Sequence, residues 1–332
     1  MIKTVRDAWQ IPELRRKILF TIFALLIFRL GAAIPVPYIN TSGLETYLSA
    51  QSGTILGLMN AMSGSAFSMA TLFALSIQPY INSSIIIQLL TVAIPALERL
   101  AKEGGEEGRK KIASITRYTT VAIGLIQGFG YYSLINSYGL VETEGLPAVW
   151  VAIVIILSFT AGSAFLMWLG EQITEFGIGN GISVLLFAGI VSRFPHMLSD
   201  MISGMQAYLN PRTEEQLAAM TEVERAAYEN SILAPWMIAV IVVGMLALVV
   251  LIVFISNSER RLPVQYAKRV VGRKMYGGQS THIPIKVNMG GVMPIIFAQS
   301  IAMIPATIGA FAGWTTESGG FGGTLMMLFD TA

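Results

Sequence analysis

Long hydrophobic runs separated by polar connections dominate this chain. Each run approaches the roughly 17 to 25 residues that an α-helix needs to cross a bilayer. The seven runs cover residues 18–36, 71–94, 118–138, 147–169, 181–197, 235–255 and 291–313. This pattern predicts an all-α polytopic membrane protein with seven membrane-spanning helices.

One stretch ahead of the second run departs from this pattern. Residues 53–70 are only weakly apolar and are rich in Gly, Ser and Ala, so we do not expect them to span the membrane. The run that follows contains Pro79, which predicts a broken helix. Because backbone that is freed from helical hydrogen bonding cannot face lipid, a half-inserted segment beside a broken helix needs a protein-lined cavity. Such a cavity is typical of a passage rather than a catalyst.

The distribution of charge predicts the orientation. The chain is 54% hydrophobic and 13% charged, with a net charge of +2 and a mean hydropathy of +0.63. Lys and Arg concentrate in the N-terminal segment and in the connections 95–117 and 256–290, whereas the connection 199–234 carries many acidic residues. By the positive-inside rule, the N-terminus is cytoplasmic. The first run exceeds the roughly 7 to 15 residues of a signal-peptide core, so we expect it to be retained.

The residues that catalysis would need are scarce. The chain has no cysteine and two histidines, and it contains neither a Walker loop nor an H-E-x-x-H motif. The sequence EFGIGNG lacks both the preceding strand and the spacing of a dinucleotide loop, and it is better explained as a turn that starts a helix. We therefore expect no enzyme activity and no catalytic, cofactor-binding or metal site.

Polar side chains inside the runs leave two interpretations open. Asn82, Gln127 and Asn288 are explained either as hydrogen-bonding contacts between helices or as the lining of a polar gate. Arg29 marks an ion path or simply reaches towards the interface. A secondary transporter would need coupling carboxylates within spans, yet every Asp and Glu falls in or beside a connection. A membrane insertase or chaperone without an open pore is the other alternative.

Several longer strings carry a resemblance to a known family. In order along the chain they are FRLGAAIPVP, SGSAFS, LFALSIQPYINSSIIIQLLT, RYTT, FLMWLGEQITEFGIGNGIS, YAKR, QSTHIPIKVNMGGVMPIIFA and PATI. Together they resemble the SecY family, the central subunits of the bacterial protein-conducting channel. The resemblance implies a clamshell of ten spans in two halves, through which unfolded secretory polypeptides cross the plasma membrane and from which transmembrane helices leave sideways into lipid.

The same resemblance assigns roles to individual residues. The pore ring would consist of Ile77, Ile81, Ile182, Leu186 and Ile296. The plug, a short helix of easily displaced small residues, would cover 56–70, including Leu56, Gly57, Ser63, Gly64, Ser65, Ala66 and Phe67. The lateral gate would contain Asn82, Gln127 and Asn288, joined by mutual hydrogen bonds. The docking surface for ribosome and motor would contain Arg260, Arg261, Lys268, Arg269, Arg273 and Lys274.

The resemblance also predicts organisation and partners. Residues 1–198 would form the N-terminal half with spans one to five, and 199–332 part of the C-terminal half with spans six and seven. The family has three further spans, so we expect a C-terminally incomplete chain: part of a longer molecule, or an assembly intermediate. The implied partners are the SecE and SecG subunits, the SecA motor, the ribosome with its RNA, nascent chains with signal sequences, an insertase and membrane lipid.

Overall fold

The computed structural model describes residues 9–50, 55–143, 145–212, 225, 228, 232–264, 269–271, 274–276 and 281–288. These residues divide into two compact units, with the boundary between Phe194 and Pro195. The predicted seventh span, 291–313, lies outside the described residues.

Helices make up most of the first unit. In chain order they are α1 Pro12–Gly31, α2 Thr41–Ala50, α3 Ile55–Ser63, α4 Gln78–Ala93, α5 Pro95–Lys102, α6 Gly105–Ser137, α7 Ala148–Phe176 and α8 Gly181–Val191. Helix α7 packs against both α6 and α8, and α4 packs along α6. Arg29 is exposed in the last turn of α1, where a cation is favoured by the helix dipole.

The second unit begins within α9, Phe194–Leu209, and continues with α10, Pro235–Asn257. Two antiparallel pairs of strands follow. Strand β1, Glu259–Val264, pairs with β4, Thr281–Lys286, and β2, Arg269–Val271, pairs with β3, Lys274–Tyr276. The hydrophobic pattern predicts no strands in this connection, so these ribbons are an addition to the predicted helical fold.

Three stretches of the described helices are long and apolar enough to cross a membrane, namely α7, the stretch Gly181–Leu209 and α10. The helix pair α4 and α5, bent by 102°, makes a fourth. The predicted spans at 18–36 and 118–138 do form helices, but α1 carries several charged residues and the second half of α6 carries Gln, Gly and Tyr. By length and composition, the described helices therefore include fewer candidate membrane spans than the apolar runs predicted.

The predicted second span, 71–94, ends where expected, but its start and the position of its break need correction. Its helix begins only at Gln78, and Pro79 occupies the first turn, where its missing N–H leaves no hydrogen bond unmade. The residues before it are turns rather than helix. The sharp bend lies instead at Ile94, whose extended backbone precedes Pro95. Pro79 therefore starts the helix and does not break it.

Two clusters of buried side chains hold the first unit together. The first gathers side chains from α2, the turn segment, α6 and α7, including Leu44, Phe67, Tyr131 and Phe159. The second joins α1, α4, α7 and α8 and includes Phe28, Phe73, Ile77, Leu166 and Leu185. Residues between α3 and α4 contribute to both clusters, so this segment lies at the centre of the unit.

Candidate functional site

The candidate site is a buried segment without helical structure, residues 64–77, which connects α3 to α4. Phe67, Ala70 and Ile77 are each at most 1% exposed. Non-helical backbone at membrane depth is tolerated only where protein or a water-filled cavity surrounds it. A largely buried non-helical segment is therefore present where the sequence predicted a half-inserted one.

The conformation of the segment explains why it does not continue α3. Gly64 has a φ of +68°, and three residues other than glycine also lie in the left-handed region: Ser65 at 72°, Ala70 at 43° and Ser76 at 51°. L-residues with a side chain adopt this region at a cost, so it interrupts a right-handed helix. The predicted plug helix over 56–70 is accordingly wrong in extent, since the helix ends at Ser63.

Backbone hydrogen bonds fix the segment to the chain that follows α1. The Leu72 N–H donates to the Ile34 carbonyl at 2.9 Å, and the Val36 N–H donates to the Ala70 carbonyl at 3.0 Å. Pro35 and Thr71 form an antiparallel bridge between these two bonds. Because these bonds replace the missing helical ones, the buried backbone at this point is satisfied.

Side chains complete the anchoring. The Ser63 hydroxyl accepts from the Phe67 N–H at 3.0 Å, and the Asn60 side-chain oxygen accepts from the Ser68 N–H at 3.0 Å. The Tyr131 hydroxyl donates to the Phe67 carbonyl, and the two rings stack with centroids 4.4 Å apart. These bonds tie the segment to α3 and α6 in the conformation that the structure shows.

The small residues lie where backbones nearly touch. A Cβ on Gly64 would be 2.4 Å from the Ser192 Oγ and 2.6 Å from the Gly189 carbonyl oxygen. A Cβ on Gly162 of α7 would be 1.9 Å from the Leu72 carbonyl oxygen. These distances are far below normal contacts, so glycine is required for α7 and α8 to approach the segment.

Three of the predicted pore-ring residues meet in the second cluster. Ile77 is buried there, and Ile81 and Ile182 are partly buried against the same group. Leu186 is half-buried on α8, one turn after Ile182, and Ile296 lies outside the described residues. The structure therefore brings apolar branched side chains from α4 and α8 together beside the turn segment.

The start of α8 is fixed by its cap. The Asn180 side chain accepts hydrogen bonds from the N–H groups of Ile182 and Ser183 at 3.1 and 3.2 Å. The Thr174 hydroxyl accepts from the Gly181 N–H at 2.9 Å. The GIGNG sequence is therefore a turn that starts a helix, as predicted, and it sets the position of Ile182.

The predicted polar gate is only partly assembled. The side-chain oxygens of Asn82 on α4 and Gln127 on α6 are buried without a hydrogen-bond partner in the described structure. Asn288 belongs to the second unit. The expected mutual hydrogen bonds are thus absent at these two oxygens. A buried acceptor left unpaired costs about 1–3 kcal/mol, so each of these two oxygens retains a capacity to accept a hydrogen bond.

One ion pair was missed by the sequence analysis. Arg117 on α6 contacts both carboxylate oxygens of Glu171 on α7, with Nε–Oε1 and Nη2–Oε2 distances of 3.0 and 2.9 Å. Such forked pairing is the geometry that guanidinium and carboxylate groups prefer. The two residues lie in the strings RYTT and FLMWLGEQITEFGIGNGIS, but their separation along the chain gave no sign that they meet.

The predicted docking residues are distributed over the ribbons. Arg260 and Arg261 are exposed in β1, opposite Ile285 and Pro284 of β4. Arg269 lies in β2 and Lys274 in β3, whereas Lys268 and Arg273 lie outside the described residues. Since successive residues of a strand point to opposite faces, Arg260 and Arg261 lie on different sides of their ribbon.

The described residues define a class of protein: a helical membrane protein in which a buried non-helical segment enters a bundle of helices. A model of the SecY family matches residues 71–331. Protein translocase subunit SecY of Streptomyces lividans is 40% identical over 95% of this chain and 70% of the relative. The Escherichia coli K12 subunit is 43% identical over 92% of this chain and 63% of the relative. The chain belongs to the SecY family.

Solved structures agree on the fold. The structure of a protein-conducting channel superposes with a TM-score of 0.55 at 18% identity, covering 93% of this chain and 63% of that one. Sec61 in the canine ribosome–channel complex gives 0.54 at 18% identity over 93% and 64%. This chain therefore spans slightly less than two thirds of the length of these channels.

Proposed function

We propose that this chain forms the channel of a protein translocase. It moves unfolded secretory polypeptides across the plasma membrane of a bacterium and releases transmembrane helices sideways into lipid. The proposal is supported by family membership and by curated relatives that are protein translocase subunits. Its action is passage rather than bond chemistry, so it is a channel subunit and not an enzyme.

The observation that carries this proposal is the buried non-helical segment 64–77, which ends at Ile77 and lies beside Ile81 and Ile182. A non-helical stretch surrounded by membrane helices occupies space that a translocating chain would need. In our proposal residues 56–70 act as the plug, and residues 64–70 are its non-helical part. The ring of branched side chains, Ile77, Ile81, Ile182, Leu186 and Ile296, closes the passage by excluding water. Displacement of the plug then opens the route.

We further propose that helices leave through a seam lined by Asn82, Gln127 and Asn288. The buried oxygens of Asn82 and Gln127 have no partner within the described residues, and this supports the role because each can still accept a hydrogen bond in the seam. A hydrophobic signal helix would replace this polar contact with apolar burial at about 25 cal/mol per Å². The polypeptide itself thereby favours opening of the seam.

The two halves and the partners complete the proposal. We assign 1–198 and 199–332 to the two halves and place the N-terminus in the cytoplasm, following the distribution of Lys and Arg. The basic ribbons then face the ribosome and the SecA motor, with SecE and SecG as companion subunits. Arginines of these ribbons suit contacts with RNA phosphates.

A direct test uses proteoliposomes that contain the intact protein and its partner subunits. A secretory precursor with a signal sequence should become protected from added protease, and the same precursor without its signal should not. An insertase without a pore would integrate an apolar helix but leave the secretory precursor digestible. That result would refute the channel.

A further inference from the structure

Tyr131 is a buried polar residue to which the proposed mechanism has so far given no role. It lies on α6 and is 0% exposed. Its ring stacks on Phe67 and lies 4.9 Å from the ring of Phe159 on α7, centroid to centroid. Its hydroxyl donates to the Phe67 carbonyl, in the middle of the turn segment. One side chain thus joins α6 to the segment by stacking and by a hydrogen bond.

The segment needs such contacts because its backbone is strained. Ser65 and Ala70, on either side of Phe67, are both left-handed. Residues in sparsely populated conformations persist only where the surrounding structure holds them. The bonds to Ile34 and Val36 hold the far end of the segment at 70–72, but the Phe67 carbonyl receives only the Ala70 N–H and the Tyr131 hydroxyl. Ser63 and Asn60 of α3 accept from the Phe67 and Ser68 N–H groups, and among these bonds the Tyr131 contact is the one that ties this part of the segment to α6.

The position of Tyr131 on α6 also connects it to the polar residue Gln127. The two residues are four apart, so they share one face of the helix. The Gln127 Oε1 is buried and has no partner among the described residues. When α6 rotates so that the Gln127 side chain gains a hydrogen-bond partner, the Tyr131 hydroxyl moves as well. Both side chains belong to the same rigid turn of the helix.

We propose that Tyr131 is the positioning residue that latches the segment 64–77 in its closed place, and that motion of α6 releases it. The proposal rests on the proposed function, since release matters only if the segment blocks a passage. Withdrawal of the hydroxyl removes one donor from the Phe67 carbonyl and allows the left-handed residues to relax. The movement of one helix and the opening of the plug are then a single event.

The test compares Tyr131→Phe with Tyr132→Phe in the intact protein in nanodiscs. Both variants remove one hydroxyl from adjacent positions of α6, and Tyr132 is only partly buried beside the same cluster. Amide hydrogen exchange of 66–72 is measured, with the Asn180-capped start of α8 as an internal reference. Tyr131→Phe should accelerate exchange at 66–72 about fivefold, the effect of losing one hydrogen bond, while the reference and Tyr132→Phe stay unchanged.

Ion leakage through the reconstituted protein provides a second measurement. Leakage would not change if Tyr131 only stabilised the fold. Tyr131→Phe should leak and Tyr132→Phe should not. Equal exchange in the two variants, or acceleration spread over the whole first unit, would overturn the latch. If exchange rises only at 66–72 while no variant, including Ile81→Ser, ever conducts, the latch stands and the channel function fails. If Ile81→Ser conducts but Tyr131→Phe changes nothing, the latch fails alone.

Discussion

Replacement of Gly64 by alanine should push the turn segment out of its place. The new Cβ would be 2.4 Å from the Ser192 Oγ and 2.6 Å from the Gly189 carbonyl oxygen. The serine side chain can rotate away, but the carbonyl belongs to the backbone of α8 and cannot. The φ of +68° at Gly64 adds a second penalty, because alanine adopts the left-handed region poorly.

The size of the effect follows from these two terms. A left-handed conformation costs a non-glycine residue about 1–2 kcal/mol. Overpacking against fixed backbone costs about 1–3 kcal/mol more. The closed arrangement should therefore lose about 2–5 kcal/mol, which raises the population of opened segment at least 30-fold, at about 1.4 kcal/mol per factor of ten. The helices themselves are not required to unfold.

The assay is the labelling rate of a cysteine introduced at Ser68, which is 4% exposed in the closed segment. The 332 residues contain no cysteine, so they add no background to the maleimide reaction. In the intact protein, Gly64→Ala should increase the labelling rate of Ser68→Cys at least 30-fold.

Two control variants separate the cost of the left-handed conformation from the cost of close packing. Gly139 has nearly the same φ, +67°, but nothing lies within 4 Å of its Cβ position, so Gly139→Ala should leave labelling unchanged. Gly189 is helical, but its Cβ would be 2.8 Å from the Met62 carbonyl oxygen, so Gly189→Ala should give roughly a tenfold increase. Equal labelling for Gly64→Ala and Gly139→Ala would refute the argument that close packing on α8 holds the segment.

Two further predictions concern the passage and its docking surface. Ile81→Ser together with Ile182→Ser should raise ion leakage, because hydroxyl groups allow water into an apolar constriction. Phe187→Ser, on the exposed side of α8, should not raise it. Planar-bilayer conductance measures the leakage of both variants. Arg269→Glu together with Lys274→Glu should weaken ribosome binding and lower its salt dependence by about one counterion per lost phosphate contact. Identical affinity and slope across salt concentrations would leave the ribbon without an RNA-binding role.

The sequence predicted the helices of the first unit better than the segment between them. Each apolar run predicts its own helix, because the length and hydrophobicity of a run can be read from that run alone. The scarcity of large side chains before Thr71 also predicted correctly that this stretch would not span the membrane. The left-handed residues Ser65 and Ala70 could not be foreseen, since only contacts with α6, α8 and the chain after α1 impose them.

The ribbons were missed for a different reason. Strand β1 is short, and its sequence ERRLPV has no sustained alternation of polar and apolar residues. Pro263 also argues against a strand except at an edge. Because each ribbon has only two strands, every strand is an edge strand and the proline is tolerated. The pairing of β1 with β4 joins residues more than fifteen positions apart, which no local pattern reveals.

Site-specific photocrosslinking shows whether a translocating polypeptide passes beside the buried segment. A photoreactive side chain is placed at Ile81 or Ile182, or at Phe187 as control, and a secretory chain is arrested during translocation. Phe187 lies on the same helix as Ile182 but is 65% exposed. The account predicts crosslinks to the arrested polypeptide from Ile81 and Ile182 and only lipid adducts from Phe187. Crosslinks from Phe187 alone, or from none of the three, would contradict a passage beside the buried segment.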